Sequence, residues 1–224
     1  SPSDPAWHNL RGPNQWPDNL PSLQETVTDW MADMHDIGTI MIAALAQGLG
    51  LKSNYFSPYF NPRGDARLKL IRYKVLKDGG SGQGVGWHND TGFLTFILQD
   101  TIGGLQVDIN GEIIDATPMK DAFIMNFGEM LQMATGGYLR ATPHRVISPP
   151  PGKTRHSIAY FFNPRLECEF TPIPLPEELA RQAIGGQNID PHDPVFSNVG
   201  QNILKTRLRA HPDVAQKFYQ GHSI

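Results

Sequence analysis

Between Ser22 and Gly48, apolar residues recur at steps of three and four: Leu23, Val27, Trp30, Met34, Ile37, Met41 and Leu45. That spacing is one stripe of an amphipathic helix. Ser22 followed by Glu25 has the form of a capping box at its start, and Gly48 and Gly50 stop it. From Arg67 the period changes to two. Leu68, Leu70, Tyr73 and Val75 open a series of strands, continued by residues 93–98, 105–109, 112–116, 122–127, 145–147 and 156–162. Asn110-Gly111 lies between two apolar runs and predicts a hairpin with a type I′ turn. Short strands at near-regular spacing predict a β-sandwich or barrel.

The flanks read differently. Residues 1–21 form an irregular, proline-rich arm. The stretch 52–65, with Tyr55, Tyr59 and Arg63, is long and irregular, a kind of loop that often covers a site. After Pro172 the chain turns polar and predicts two short helices, 177–183 and 213–219. The expected division is an arm with a support helix (1–66), a β core (67–170) and a C-terminal extension (171–224).

Composition narrows the function classes. The 224 residues can bury a real core, and a net charge of −3 with no run of either sign gives no sign of a nucleic-acid surface. The most apolar stretch, Ile37 to Leu49, is shorter than the roughly 20 residues a membrane span needs, so no membrane partner is expected. The single cysteine, Cys168, cannot form an internal disulfide and suits a reducing cytoplasm.

The chemistry centres on His88-Asn89-Asp90. In a strand, residues two apart face one side, about 6.6 Å apart at ~3.3 Å per residue. His88 and Asp90 can then aim at one point, although such a pair also fits a solvated strand end. His144, ahead of the apolar Arg145-Val146-Ile147, can complete a set of two histidines and one carboxylate. That set leaves one face of a metal open, which suits non-haem Fe(II) and equally admits Zn²⁺. In Arg155-His156-Ser157, alternation puts Arg155 and Ser157 on one face and His156 on the other. The following Ile158-Ala159-Tyr160-Phe161-Phe162 is apolar, so this strand is expected to be buried. A buried arginine needs an anion, and a ligand carboxylate would supply one; a surface arginine at a strand start is the other reading. His8, His35, His192, His211 and His222 show no partner pattern.

Together these motifs resemble the 2-oxoglutarate/Fe(II) dioxygenases related to isopenicillin N synthase. The likeness is carried by Gly12-Pro13-Asn14-Gln15-Trp16-Pro17, Gly86-Trp87-His88-Asn89-Asp90 and Gly103-Gly104-Leu105-Gln106-Val107. It continues through Asn126-Phe127-Gly128-Glu129, Thr142-Pro143-His144-Arg145-Val146 and Arg155-x-Ser157, and it runs from about Gly12 to Pro164. Glu129 stands where the family has aspartate, and Asn89 where threonine is commoner. Relatives carry a sizeable region ahead of the Trp-Pro segment, whose substrate contacts these residues do not contain.

The resemblance implies a mainly β fold, a double-stranded β-helix or jelly roll with flanking α-helices. It implies Fe(II) on His88, Asp90 and His144, and 2-oxoglutarate as co-substrate on Arg155, Ser157 and Tyr73. O2 is then consumed, succinate and CO2 are released, and a small-molecule substrate is oxidised, most simply by hydroxylation. Asn89, Phe127, Phe161 and Met133 are candidates to line the substrate cavity, although core packing is the stronger reading for the last three. Three other readings stay open: an iron oxidase that does without 2-oxoglutarate, a zinc hydrolase, and a jelly-roll binding module. The oligomeric state is not legible.

Overall fold

The computed structural model describes residues 5–74, 83–183, 185 and 194–220; Val75, His192 and His222 lie outside the described residues. Among the described residues, eight strands make two antiparallel sheets of four. They are β1 (Asp65–Lys74), β2 (Gln83–His88), β3 (Leu94–Gln99), β4 (Leu105–Ile109), β5 (Glu112–Asp115), β6 (Ile124–Phe127), β7 (His144–Ile147) and β8 (Thr154–Asn163). The first sheet runs β1-β8-β3-β6 and the second β2-β7-β4-β5. The chain thus alternates between facing sheets, the winding of a jelly roll. Asn110 and Gly111 both adopt positive φ, 57° and 89°, in the turn between β4 and β5.

Register decides which side chains enter the roll. Tyr73 pairs with Arg155, Ile71 with Ser157, Lys69 with Ala159 and Arg67 with Phe161. On the other side of β8, Thr95 pairs with Phe161 and Ile97 with Ala159. These residues share the inward face. The alternate positions Leu94, Phe96, Tyr160 and Phe162 face outward, where a layer of helices covers them. That layer holds the main apolar core.

The helices are α1 (Ser22–Gly48), α2 (Ser57–Phe60), α3 (Glu129–Ala134), α4 (Glu177–Ala180), α5 (Val199–Ala210) and α6 (Pro212–Phe218), after a 3-10 turn at Ala6–Leu10. Helix α1 departs from the sequence reading twice. Pro21 precedes it and no side chain caps it, so Ser22 falls inside the first turn and the capping box does not form. The buried line is Met34, Gly38, Ile42 and Ala46, rotated from the apolar stripe, and Ile37 is exposed. Gly38 explains the rotation. A Cβ there would sit 2.8 Å from the Phe162 ring, so only glycine lets the helix lie this close to β8.

Two further expectations change. The stretch 52–65 is no lid: Phe56 and Phe60 are buried in the main core, and the Tyr59 ring stacks on Phe170. Helix α5 went unread, although its signals are present. Asn198 accepts a hydrogen bond from the Gln201 amide as N-cap, and Val199, Ile203, Leu204 and Leu208 make a helical stripe. The predicted helix 177–183 shrinks to α4, and 213–219 appears as α6.

Candidate active site

The two histidines come from adjacent strands of the second sheet. His88 ends β2 and pairs in register with His144, the first residue of β7. Both point inward, with ring centroids 4.3 Å apart. Each ring is fixed by a backbone carbonyl of its own strand or approach: Gly86 O lies 2.9 Å from His88 Nδ1, and Thr142 O lies 3.0 Å from His144 Nδ1. A carbonyl only accepts, so each Nδ1 carries the proton and each Nε2 presents a lone pair.

Asp90 arrives by another route than strand alternation. The strand stops at His88, and Asp90 sits in the loop beyond it. That loop is pinned by the start of α3: the Glu129 amide donates to Asp90 O at 2.8 Å and the Met130 amide to Gly92 O at 3.2 Å. A Cβ on Gly128 would overlap the Gly92 carbonyl, so glycine is needed for this approach. The Asp90 carboxylate then accepts from Asn126 Nδ2 at 2.8 Å. His88 Nε2 lies 4.0 Å from Asp90 Oδ1, and His144 Nε2 lies 3.9 Å from Asp90 Oδ2. One ligand atom from each residue falls within 4.8 Å of the others, the only such cluster among the described residues. His144 and Asp90 are buried, while His88 is 41% exposed at the cavity mouth. Desolvation and the neighbouring His144 push the His88 pKa below its ordinary value, against the weaker opposing pull of Gly86 O and Asp90. Neutral imidazoles flanking a carboxylate are a donor set ready for a divalent metal.

Deeper in the roll, a cavity of about 90 Å³ extends from these groups to Arg155, Ser157 and Tyr73. Arg155 is 1% exposed. Its guanidinium donates to Gln99 Oε1 at 2.9 Å and to Ser157 Oγ at 3.3 Å, and lies 4.8 Å from the Tyr73 ring centroid. Its Nε is buried without a hydrogen-bond partner, and it makes no salt bridge with any described carboxylate. A buried, uncompensated guanidinium at the end of a polar-lined cavity fits a carboxylate from a ligand.

The residues expected around substrate divide. Asn89 and Phe161 line a second lobe of the cavity beside the triad. Phe127 does not. It pairs with outward-facing Leu94 and packs in the main core, because a one-residue step along β6 reverses the face. Met133 also packs against that core. His156 is exposed on the outer face beside Asp100. Sequence reasoning gave no role to Asn126 or Gln99 and passed over Lys69 and Arg207, which line the second lobe. Lys69 was within reach, since counting back by two from Tyr73 puts it on the inward face. The contacts of Asn126 with Asp90 and of Gln99 with Arg155 become visible only through the pairing of β3 with β6 and β8.

A family model described as the 2OG-Fe(II) oxygenase superfamily matches residues 52–164, half of the chain. The chain belongs to the 2OG-Fe(II) oxygenase superfamily. A member from Dothideomycetidae sp. (strain 11243), 2-oxoglutarate-dependent dioxygenase frbJ, is 32% identical over the whole of this chain and 65% of its own length. Among solved structures, a 2OG-Fe(II) oxygenase family protein from Caulobacter crescentus is 25% identical. Its match covers 94% of this chain and 66% of that one, with a TM-score of 0.71. A structure of JOX2 in complex with 2OG, Fe and JA is 27% identical over 89% of this chain and 57% of that one, with a TM-score of 0.73. This superfamily member thus spans about two thirds of these relatives or less.

Proposed function

We propose that this chain carries the catalytic centre of an Fe(II)- and 2-oxoglutarate-dependent oxygenase acting on a small molecule. One observation supports the reading most: the buried Arg155 pairs with no described carboxylate of the chain, and it stands at the inner end of the cavity whose outer end carries His88, Asp90 and His144. The donor set fits iron, because two neutral imidazoles and one carboxylate leave positions open for a co-substrate and O2. Bound there, iron supplies the oxidative decarboxylation of 2-oxoglutarate to succinate and CO2 that activates O2 for attack on a substrate C–H bond.

The chain's own residues do the rest. His88 and His144 present Nε2 because their Nδ1 atoms are held by carbonyls. Asn126 orients Asp90. Arg155 would hold the distal carboxylate through its fork, with Ser157 as a lesser donor and Gln99 fixing the guanidinium. Tyr73 stacks on that guanidinium, and Ile97, Leu105 and Val146 line the space between with apolar side chains. No described helix is long and apolar enough to cross a membrane, and the free thiol of Cys168 supports a reducing compartment such as the cytoplasm.

The test is an anaerobic titration with Fe(II) and 2-oxoglutarate, following the visible charge-transfer band of the chelate. Wild type should develop the band. Arg155→Leu should need about 30- to 4,000-fold more 2-oxoglutarate, the equivalent of about 2–5 kcal/mol, at unchanged iron affinity. His144→Ala should lose iron and turnover. A wild-type protein that oxidises substrate without any keto acid would move the chain to the oxidase reading, in which Arg155 holds the substrate.

A further inference from the structure

The lobe beside the triad, about 150 Å³, has a charge imbalance that the proposed chemistry does not use. It is lined on one side by His88, Asn89 and Asp90, and on the other by Arg67 and Lys69 from β1 and Arg207 from α5; Lys69 also borders the deeper cavity, whereas Arg207 does not. Two described carboxylates stand near these cations. Asp90 belongs to the triad and is held by Asn126. Asp65 accepts from Arg67 Nε at 2.8 Å. Lys69 and Arg207 therefore have no committed counter-ion among the described residues.

Two further observations mark the lobe as unfinished. The Nη2 of Arg67 and the Oδ1 of Asn89 are buried with no hydrogen-bond partner, although buried polar atoms are normally paired. The cations also crowd one another. Partial burial and then the charge of Arg207 lower the pKa of Lys69, exposed as it is at the mouth, against a weaker pull from Asp90; burial and then Arg67 lower that of Arg207, against a weaker pull from Asp65. Lys69 Nζ stands 5.4 Å from the centroid of the Phe161 ring, which gives the lobe an aromatic floor under its charge.

Resting on the proposed reading of the site, we infer that the substrate is an organic anion whose carboxylate is held between Lys69 and Arg207, with its carbon body over Phe161 and facing the triad. An anion there neutralises charges that now repel, and the Arg207 fork and Lys69 ammonium offer donors of complementary geometry. A cavity of about 150 Å³ is known to admit benzene, so the part of the substrate within the lobe is about the size of one ring. The roll thus holds two anion sites: Arg155 for the co-substrate at depth, and Lys69 with Arg207 for the substrate at the mouth.

The test uses the full chain loaded with Zn(II) and saturated with 2-oxoglutarate, and ligand-observed NMR titrations of matched probes. The probes are benzoate with benzamide, phenylacetate with phenylacetamide, and hexanoate with hexanamide. At least one acid should bind about 10- to 150-fold tighter than its amide, the range expected for hydrogen bonds to charged groups. That preference should fall below about threefold in Lys69→Met and in Arg207→Gln, with 2-oxoglutarate affinity unchanged; Lys69→Met alone carries the test if α5 does not tolerate the second variant. Equal binding of acids and amides, no binding of any acid, or a preference that survives both substitutions overturns the inference. So does a loss of 2-oxoglutarate affinity in Lys69→Met, which would put Lys69 in the co-substrate site. Because 2-oxoglutarate binding to wild type is measured first, its failure would defeat the site assignment, a result separable from all of these.

Discussion

The two faces of the first sheet make a sharp contrast. Its outer face, under the helices, is apolar and closed: Leu94, Phe96, Tyr160 and Phe162 meet Met34, Ile42, Ala46, Phe56 and Phe60. Its inner face carries Arg67, Lys69, Tyr73, Thr95, Arg155 and Ser157, and the buried apolar cluster it shares with the second sheet is only Tyr73, Ile97, Leu105 and Val146. One sheet therefore serves two purposes, divided by the period-two alternation of its strands. Stability is concentrated outside the roll and chemistry inside it. That separation lets an interior tolerate an uncompensated guanidinium and a cluster of metal-binding groups, because the helical layer supplies the burial energy, at roughly 1.5–3 kcal/mol per fully buried large apolar side chain.

The largest break of this contrast comes from the outer core. Phe56 is fully buried and forms no part of the cavity lining, so Phe56→Ala should destabilise by about 3–5 kcal/mol in denaturant melts. The folded fraction should bind Fe(II) and 2-oxoglutarate with wild-type affinity; a change there would show that the two faces are coupled.

An inner-face change should do the reverse. Asn126→Ala removes the hydrogen bond to Asp90 and should weaken metal binding about 10- to 100-fold, at nearly unchanged melting temperature. Isothermal titration with a divalent metal, beside a thermal melt, separates the two readouts.

A smaller effect follows from pH. Metal binding needs neutral imidazoles, and the His88 pKa is lowered by burial and by His144. Affinity should stay level from pH 8 through 7. It should fall, by up to about tenfold per unit, only below the ordinary imidazole value of about 6.5. The sign for the metal-free protein is the same. A histidine with a depressed folded pKa binds its proton more readily when unfolded, so stability is lost as pH falls through that window. Melts and metal titrations at pH 5.5, 6.5 and 7.5 check both.

The smallest effect belongs to the outer face of the second sheet, which no described helix covers. Ile113 is 51% exposed opposite Asp108, and Ile113→Thr should change stability by no more than about 0.5 kcal/mol and leave binding untouched. A larger loss would show that this face is covered in the working protein.

How far the sequence carried depends on where each signal resides. The triad was legible because its residue types are rare in combination, yet the reason given for its geometry was partly mistaken. Asp90 converges with His88 through a loop fastened to α3, not through strand alternation. Arg155 was legible as a charge in an apolar strand. Its partner Gln99 was not, since only the β3–β8 register brings them together. Helix α5 was present in sequence as an N-cap and a stripe, but a proline-rich approach hid it. Phe127 shows the limit in the other direction: a residue of the right type, one step along a strand, faces the wrong layer.

The register that pairs His88 with His144 has a mechanical consequence. Both histidines belong to the second sheet, whereas Arg155, Ser157 and Tyr73 belong to the first. On the proposed reading, a co-substrate anchored at one end by the histidine-held metal and at the other by Arg155 spans the gap between the sheets like a rivet. Loading the site at about 100 times the dissociation constant should raise global stability by about 2.7 kcal/mol. The protection against amide exchange should be greatest in β2 and β7, the strands that otherwise touch the first sheet through only a few side chains. The empty roll should breathe by parting its sheets, and the reactants themselves should hold it shut.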